Sequence, residues 1–339
     1  MLAIDLFSGA GGMTQGLKDA GFEVIGAVEI VPVAIETYLM NHPEVCVFAE
    51  DIRNINCNEA MRKLGIEYGE LDLLAGCPPC QGFSSMRTKN GSYNIEDERN
   101  DLVFEFVRLI EGFLPKFVLM ENVPGLAKDE RITSVLVRLR ELGYHITENT
   151  VQVLDAADYG VPQRRKRMIL AASRVNEFEL KHKKVDHRTV FDAIGSMPPA
   201  GCSGDPLHDM PENRVPHVLK IIEAVPKNGG SRSDTPYEMW LPCHKRNPKG
   251  FKDVYGRMAW HKVSPTITGG CTNPSKGRFL HPEENRAITL REAALIQTFP
   301  KDYYFSLRKG KGDASLMIGN ALPPKFIKEH AMQILESLT

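Results

Sequence analysis

Short apolar segments and longer amphipathic segments alternate along the first 175 of the 339 residues. Apolar runs bounded by glycine or polar residues predict buried strands, and longer runs with helical periodicity predict helices. The predicted strands are 2–7, 23–28, 71–75, 116–121, 145–154 and 167–172, and the predicted helices are 12–20, 32–41, 101–113 and 132–142. This alternation is typical of an α/β fold with a Rossmann-like, doubly wound and mostly parallel sheet.

The pattern changes beyond about residue 180. Residues 196–250 are rich in Pro, Gly, Ser, Asn and Lys, and helices are predicted only at 215–225 and later at 289–298. Apolar and aromatic residues persist there, so a second, smaller, loop-rich domain fits better than disorder. The segments 314–322 and 323–338 are again apolar and helical. We therefore expect one domain made of 1–180 plus 305–339 and a second made of 181–304.

The composition, with 42% apolar and 25% charged residues, is that of an ordinary soluble globular protein. No stretch approaches the roughly 20 apolar residues of a membrane span, and the N-terminus lacks the basic region of a signal peptide. Seven cysteines at irregular spacing give no secreted disulfide framework. We therefore expect a protein of the cytoplasm that does not enter a membrane.

Charge is divided unevenly along the chain, although the net charge is only −1. Residues 1–160 carry 13 Lys+Arg against 25 Asp+Glu, whereas residues 161–339 carry 29 against 18. Such asymmetry suggests a polyanionic partner for the second half. Scattered, solvated charge would explain the same counts.

A cysteine follows the predicted strand 71–75, in the segment 76–84 with the sequence Gly-Cys-Pro-Pro-Cys-Gln-Gly-Phe-Ser. Open α/β sheets place their chemistry at the carboxyl ends of strands, and two prolines stiffen the backbone ahead of Cys80. A nucleophile, a zinc site and a redox pair all fit this loop. Zinc needs four ligands, commonly as two close pairs, and the other cysteines are lone, so we expect no metal. The nucleophile is favoured at Cys80, with Cys77 as a small packed residue.

Small residues follow the first strand, at Ser8, Gly9 and Gly11, where a ligand can approach the backbone closely. Glu29 ends the second strand, at the spacing from Gly9 that lets an acidic side chain bind a ribose. Asp51 follows a third strand-like stretch and is placed to reach an adenine. The dinucleotide fingerprint is incomplete, so a nucleoside ligand is better supported than NAD. A turn rich in glycine beside a solvated carboxylate is the alternative.

An acidic residue and a basic run follow later strands. Glu121 ends the predicted strand 116–121, where a partly buried acid beside a cysteine nucleophile would form a catalytic pair. In the run 163–167, Gln-Arg-Arg-Lys-Arg, strand alternation directs Arg165 and Arg167 to one face. Taken alone, these residues would more often be an exposed loop acid and a solvated basic run.

Together these segments give the chain a family resemblance. It resembles the cytosine carbon-5 DNA methyltransferases over nearly its whole length, with six motifs in the family's order. The similar segments are the cofactor motif at 5–12, the nucleophile loop at 76–84, Glu-Asn-Val at 121–123, Gln-x-Arg-x-Arg at 163–167, the ninth block at 286–300 and the tenth at 319–323. The resemblance implies a target-recognition region at about 185–285, between the arginine motif and the ninth block.

The resemblance also implies a mechanism. The thiolate of Cys80 would add to carbon 6 of a cytosine flipped out of the duplex, and carbon 5 would then take a methyl group from S-adenosylmethionine. Glu121 would contact the ring N3, and Arg167, with Arg165 nearby, would hold the O2 edge. The implied cofactor contacts are Phe7, Ser8, Gly9, Gly11, Glu29, Ile30, Asp51, Ile52, Pro79, Leu102 and Asn320.

Double-stranded DNA is the partner that the resemblance implies, with contacts at Gln81, Ser84, Arg257, Lys262 and Thr266. A cognate restriction endonuclease acting on the same site is a further expected partner, and the chain is expected to act as a monomer. Two rivals remain at this point: a transfer-RNA cytosine methyltransferase on the same fold, and a regulatory protein that has lost catalysis. Neither the recognised DNA sequence nor the base that removes the carbon-5 proton follows from the sequence.

Overall fold

The structure is a computed structural model that describes residues 1–79, 101–182, 184–248 and 250–339. The chain divides into two compact units. Unit 1 contains Met1–Tyr159, Lys166–Lys184 and Leu322–Thr339, and unit 2 contains Gly160–Arg165 and Val185–Ala321. The expected domain bounds differ from these units in three places: 160–165 belong to unit 2, 181–184 belong to unit 1, and the last segment of unit 1 begins at Leu322 rather than at 305. The functions expected of the two domains stay predictions.

Unit 1 contains a seven-stranded mixed sheet with the strand order β3-β2-β1-β4-β5-β7-β6. The strands are β1 Leu2–Leu6, β2 Glu23–Val28, β3 Cys46–Phe48, β4 Leu73–Gly76, β5 Phe117–Asn122, β6 Val151–Asp155 and β7 Lys166–Ser173. The first five strands pair in parallel, while β7 runs antiparallel to both β5 and β6. The predicted α/β class, with a doubly wound and mostly parallel sheet, is confirmed.

The register brings several strand ends to one edge of the sheet. Leu6 of β1 lies opposite Val28 of β2 and Gly76 of β4, and Gly76 lies opposite Met120 of β5. The residues that follow these strands therefore lie side by side. The strand order also reverses direction between β1 and β4, and such a reversal opens the crevice in which α/β sheets bind ligands.

Helices of unit 1 are α1 Gly12–Ala20, α2 Pro32–Asn41, α3 Cys57–Leu64, α4 Leu102–Phe113, α5 Glu130–Glu141 and α12 Pro324–Leu338. The C-terminal helix α12 packs on α1, where a Cβ added at Gly16 would lie 2.5 Å from the Pro324 carbonyl oxygen. Only glycine fits that contact without a shift of the backbone. Apolar positions on α4 and β5 supply much of the core, including Phe106, Leu109 and Val118, which are fully buried.

One predicted strand is shorter than expected. The predicted strand 145–154 is reduced to β6, because a turn interrupts its first half. Thr150 N donates to the Thr147 carbonyl oxygen (3.3 Å), and Thr150 Oγ1 accepts from Thr147 N (2.9 Å). His145 pairs separately with Ser173 as an isolated bridge. Side-chain hydroxyls of this kind stabilise turns at the expense of strand pairing.

Unit 2 is built mainly from short helices and loops. Its helices are α6 Val190–Ile194, α7 Pro206–Asp209, α8 Pro216–Ala224, α9 Pro242–Arg246, α10 Leu290–Ile296 and α11 Lys311–Asn320. Among its described residues the β pairing is limited to isolated bridges, such as those of Leu280 with Arg257 and Ala287. Short 3₁₀ turns complete the chain at Ile52–Asn54, Pro124–Lys128, Ala156–Tyr159, Arg232–Asp234, Tyr237–Met239 and Pro274–Lys276.

Candidate active site

A buried ion pair lies at the sheet edge of unit 1. Glu121, near the end of β5, is 2% exposed, and the Nε atom of Arg167 lies 2.7 Å from its Oε1 atom. β5 and β7 pair antiparallel with Asn122 opposite Met168, which brings Arg167 level with the end of β5. Despite the short distance, Oε1 accepts no aligned hydrogen bond from any described residue. Oε1 is therefore held by the charge of Arg167 rather than by an aligned hydrogen bond.

The loop after β4 is attached to this pair. The backbone N–H of Cys77 donates to the Leu6 carbonyl oxygen (3.2 Å), and its thiol donates to Oε2 of Glu121 (2.8 Å). Asn122 donates from Nδ2 to the Pro78 carbonyl oxygen (2.8 Å). We expected Cys77 to be a small packed residue; it is half-buried, and its thiol in addition binds the carboxylate.

Three predicted site residues, Cys80, Gln81 and Ser84, lie outside the described residues. Pro79 is the last described residue before them, and it is half-buried. The nucleophile at Cys80 and the DNA contacts at Gln81 and Ser84 stay predictions. The described residues include the segment that leads to Cys80. Hydrogen bonds of Cys77 and Asn122 hold this segment at the end of β5.

The loop after β1 forms a backbone cradle against Glu29. Phe7, Gly9 and Gly11 all have positive φ, at 59°, 54° and 87°. Gly9 N donates to Glu29 Oε2 (2.8 Å), while Glu29 Oε1 accepts from the backbone N–H groups of Ile30 and Val31. A Cβ built on Gly9 would meet nothing within 4 Å, so the space beside this backbone is open. A glycine turn beside an anchored carboxylate is suited to binding a nucleoside.

The other predicted cofactor residues are arranged less uniformly. Ser8 is buried and its hydroxyl donates to the Val28 carbonyl oxygen (3.4 Å), whereas Ile30 is 56% exposed. The side chain of Ile52 is buried in the hydrophobic core, and the partly buried side chain of Leu102 packs against that core. Asn320 is exposed at the end of α11 in unit 2.

Asp51 has a partner that the sequence did not suggest. Arg53 donates to it from the backbone N (3.0 Å) and from Nη2 (2.6 Å). These hydrogen bonds from Arg53 lower the pKa of Asp51. Its carboxylate therefore stays charged, but part of its capacity to accept hydrogen bonds is already used.

A buried carboxyl group that the sequence did not single out supports the cradle. Asp5 of β1 is 1% exposed, and its Oδ2 accepts from both the N–H (3.1 Å) and the hydroxyl (2.7 Å) of Thr14 on α1. The Thr14 hydroxyl also lies 2.7 Å from the Tyr38 hydroxyl. Burial raises the pKa of Asp5 to about 7, although the bonds from Thr14 oppose that shift. An acid inside the apolar run of β1 was the available signal.

Arg165 belongs to unit 2 and has a different environment from Arg167. We expected it to hold the base beside Arg167, but it is 2% exposed. Its guanidinium donates to the carbonyl oxygens of Ile267 (3.0 Å) and Gly319 (3.2 Å). These backbone acceptors engage both terminal nitrogens, so Arg165 supports the backbone of unit 2. Its catalytic role beside Arg167 stays a prediction.

Two glutamines of the sequence motifs join the same network in unit 2. Gln163 Nε2 donates to Gln297 Oε1 (2.7 Å), and Gln163 Oε1 accepts from Ile267 N (2.8 Å). Gln297 in turn donates to the Ile318 carbonyl oxygen (2.7 Å). All of these groups are buried, so segments far apart in sequence are joined by one satisfied polar network.

Arg257, a predicted DNA contact, is enclosed within unit 2. It is 0% exposed, and its guanidinium donates to the carbonyl oxygens of Val225 (3.0 Å), His281 (2.9 Å) and Ile222 (2.8 Å). A DNA contact by Arg257 stays a prediction. Lys262 is exposed, and the Thr266 hydroxyl donates to the Arg164 carbonyl oxygen (2.6 Å). Their DNA contacts stay predictions.

No helix among the described residues is long and apolar enough to cross a membrane. Within the same residues, no group of three or more His, Cys, Asp or Glu side chains is arranged to hold a metal ion.

Comparison with known proteins agrees with the sequence motifs. A family model described as C-5 cytosine-specific DNA methylase matches residues 1–336. Type II methylase M.HgiDII of Herpetosiphon aurantiacus is 36% identical in an alignment of 336 positions that covers 94% of this chain and 91% of that protein. Type II methyltransferase M1.HphI of Haemophilus parahaemolyticus is 35% identical over 344 residues, covering 99% and 87%.

Solved structures show the same fold. A crystal structure of a putative DNA modification methyltransferase encoded within an E. coli prophage matches with a TM-score of 0.71 and 25% identity, over 100% of this chain and 99% of that one. The S. pombe Dnmt2 methyltransferase matches with a TM-score of 0.66 and 18% identity, over 100% and 99%. At that identity the second match concerns the fold alone.

Proposed function

The chain belongs to the family of C-5 cytosine-specific DNA methylases, and we propose that it methylates carbon 5 of one cytosine within a specific duplex sequence. Family membership makes it a DNA cytosine methyltransferase. The proposal adds S-adenosylmethionine as the methyl donor, a flipped target base and a covalent bond between Cys80 and that base.

One observation carries the proposal: a buried carboxylate and a guanidinium lie beside the loop that leads to Cys80. Glu121 and Arg167 are 2.7 Å apart, and the thiol of Cys77 and the amide of Asn122 attach the loop to them. A thiolate formed at Cys80 would act within reach of a proton donor and a fixed positive charge. Those are the groups that addition of a thiolate to a pyrimidine ring requires.

The roles of the residues follow from the electron flow. The Cys80 thiolate forms a bond to carbon 6, and Glu121 shares a proton with N3 as charge moves into the ring. Arg167 holds O2, which stabilises the developing negative charge. Carbon 5 becomes nucleophilic and would take the methyl group as the bond from that methyl to the donor's sulfonium sulfur breaks, leaving a neutral thioether. Loss of its proton to a base then expels the sulfur and restores the ring.

The cradle of unit 1 fits S-adenosylmethionine. When bound, the cofactor supplies an electrophilic methyl group. Glu29 would accept hydrogen bonds from the ribose hydroxyls, since three backbone N–H groups already fix its carboxylate. The open space beside Gly9 would admit the ligand close to the backbone. Asp51 would accept a hydrogen bond from the adenine amino group, and Ile52 and Leu102 would make apolar contacts with the adenine.

Unit 2 is proposed to recognise the DNA. The second half of the chain carries an excess of basic residues, and exposed side chains such as Lys262 would bind phosphates without reading sequence. Thr266 lies in the segment proposed to read bases. The target base must leave the stack to reach Cys80, at a cost of a few kcal/mol.

The relatives named Type II methyltransferases favour a restriction-modification context. We propose that a cognate restriction endonuclease acts on the same site, and that the enzyme works as a monomer in the cytoplasm.

The test is methyl transfer from labelled S-adenosylmethionine to duplex DNA, with wild type and Cys80→Ala compared. Wild type should label DNA and the variant should not. A stable adduct with DNA containing 5-fluorocytosine, absent for Cys80→Ala, would support the covalent route. Labelling of RNA alone would contradict the proposed substrate, and bisulfite sequencing of DNA from expressing cells would read out the target site.

A further inference from the structure

The carboxylate of Glu121, the candidate catalytic acid, has two partners: a charged guanidinium and the thiol of Cys77. Arg167 approaches Oε1, and the thiol of Cys77 donates to the other oxygen, Oε2, at 2.8 Å. The carboxylate is 2% exposed, so water does not compete freely for either oxygen. Each oxygen is thus oriented by a different protein group.

We propose that Cys77 is a positioning residue for the methyl-transfer reaction, a role that rests on the proposed function. An arginine and a carboxylate alone tend to form a two-bond, fork-like pair that engages both oxygens. The thiol occupies Oε2 and restricts Arg167 to Oε1. The plane of the carboxylate is then fixed, and the Oε1 edge is presented to the ring.

The same residue connects the carboxylate to the nucleophile loop. The Cys77 backbone is held by the Leu6 carbonyl oxygen at the end of β1, and Pro78 is held by Asn122. Glu121 and Asn122 are neighbours on β5, so two side-chain bonds join this strand end to the three residues that precede Cys80. A catalytic acid is effective only when its position is held to within a fraction of an ångström.

The test uses Cys77→Ala, Cys77→Ser and a matched control, Cys46→Ala. Cys46 is a half-buried free cysteine on β3 of the same unit. The readouts are the single-turnover rate of methyl transfer, the Kd for S-adenosylmethionine and the thermal midpoint. We expect Cys77→Ala to slow the reaction about 10-fold, as for loss of a hydrogen bond to a charged group. Cofactor affinity should change less than about 2-fold, and Cys77→Ser should recover most of the rate because its hydroxyl also donates.

A double-mutant cycle separates positioning from packing. If the thiol acts through the carboxylate, Cys77→Ala should cause little further loss in a Glu121→Ala background. Equal rates for Cys77→Ala and wild type, or the same fractional loss in both backgrounds, would overturn the proposal. So would a serine variant no better than alanine. Absence of methyl transfer to any duplex by wild type would instead contradict the proposed function itself.

Discussion

Arg167 of unit 1 and Arg165 of unit 2 are separated by one residue, yet their guanidinium groups have different partners. Arg167 faces the carboxylate of Glu121 at the edge of a sheet, whereas Arg165 binds backbone carbonyl oxygens in a region of loops. Backbone carbonyl groups in a sheet are satisfied by neighbouring strands. Unit 2 has few such pairings among its described residues, so its buried carbonyl groups need other donors, and arginine supplies up to five.

The difference separates two kinds of basic residue that look alike in sequence. In unit 1 the sheet satisfies the backbone, which leaves side chains at strand ends available for chemistry. In unit 2 the buried arginines replace strand pairing, so their loss should cost stability before it costs recognition. Variants that distinguish activity from stability therefore test the comparison directly.

Glu121→Gln should have the largest effect, on activity alone. An amide of the same shape cannot share a proton with the ring, so methyl transfer should fall about 10²–10⁴-fold, the usual contribution of a general acid. The thermal midpoint should change little, because the amide oxygen can still accept a hydrogen bond in the same space. Glu111→Gln, at a surface ion pair with Arg138, is the control and should retain full activity. A lower thermal midpoint for Glu121→Gln, with a normal methyl-transfer rate for each folded molecule, would contradict this assignment.

Arg257→Met should have the opposite signature. Methionine has a similar length but donates no hydrogen bond, so the carbonyl groups of Val225, His281 and Ile222 would be buried without partners. We expect a loss of about 3–5 kcal/mol in the free energy of unfolding, as for other buried charged networks that are broken. Denaturant midpoints would measure it.

Lys262→Met, at an exposed position of the same unit, is the control for Arg257→Met. It should change stability by less than about 0.5 kcal/mol and should reduce the salt dependence of DNA binding. A normal denaturant midpoint for Arg257→Met together with weaker DNA binding would support the direct DNA contact that the sequence predicted for Arg257.

The unequal success of sequence prediction has the same origin. The sheet of unit 1 follows from alternating apolar and amphipathic segments, and strand adjacency then brings Glu29 beside Gly9 and Glu121 beside the loop after β4. Strand ends are positions that a periodic pattern fixes. The contact of Cys77 with Glu121 could not be predicted, because it depends on side-chain rotamers rather than on the register.

Unit 2 lacks a period from which burial can be inferred. Arg257 is flanked by Gly256 and Met258, a local pattern that does not distinguish a buried from an exposed arginine, but three carbonyl groups from distant segments enclose it. Arg165 likewise followed the expected alternation of a strand, although 160–165 belong to unit 2. In both positions long-range backbone acceptors decide the environment, and local sequence carries no record of them.

Two glycines of α11 sharpen the comparison within unit 2. A Cβ added at Gly319 would lie 2.0 Å from the Thr268 carbonyl carbon and 2.1 Å from Gly269 N, both backbone atoms that cannot move easily. Gly319→Ala should therefore destabilise the protein by about 1–3 kcal/mol. Gly312→Ala on the same helix meets nothing within 4 Å and should be neutral or stabilising by up to about 1 kcal/mol. Equal denaturant midpoints for the two variants would show that the close contact is not maintained in solution.

We expect the smallest effect at Asp5, as a dependence of the free energy of unfolding on pH. Its pKa is raised to about 7 in the folded protein from an ordinary value of 3.8, mainly by burial. The folded state therefore binds the proton more tightly, so this stabilisation is complete below about pH 4 and is lost progressively as the pH rises from there through about 7. Between about pH 6 and 8 the loss should be about 1.4 kcal/mol, close to one proton's linkage.

Asp5→Asn should remove that slope, because an amide carries no titrating proton and its oxygen can still accept from Thr14. Asp19→Asn, at an exposed position on α1, is the control and should leave the slope unchanged. Free energies of unfolding across this pH range measure both. Histidines titrate in the same pH range in both proteins. The difference in free energy of unfolding between wild type and Asp5→Asn therefore reports on Asp5 alone. A difference that is constant with pH would mean that the hydrogen bonds to Thr14, and not the proton, account for the effect. Asp5 would then resemble the arginines of unit 2, as a buried polar group that serves only the backbone and its neighbours.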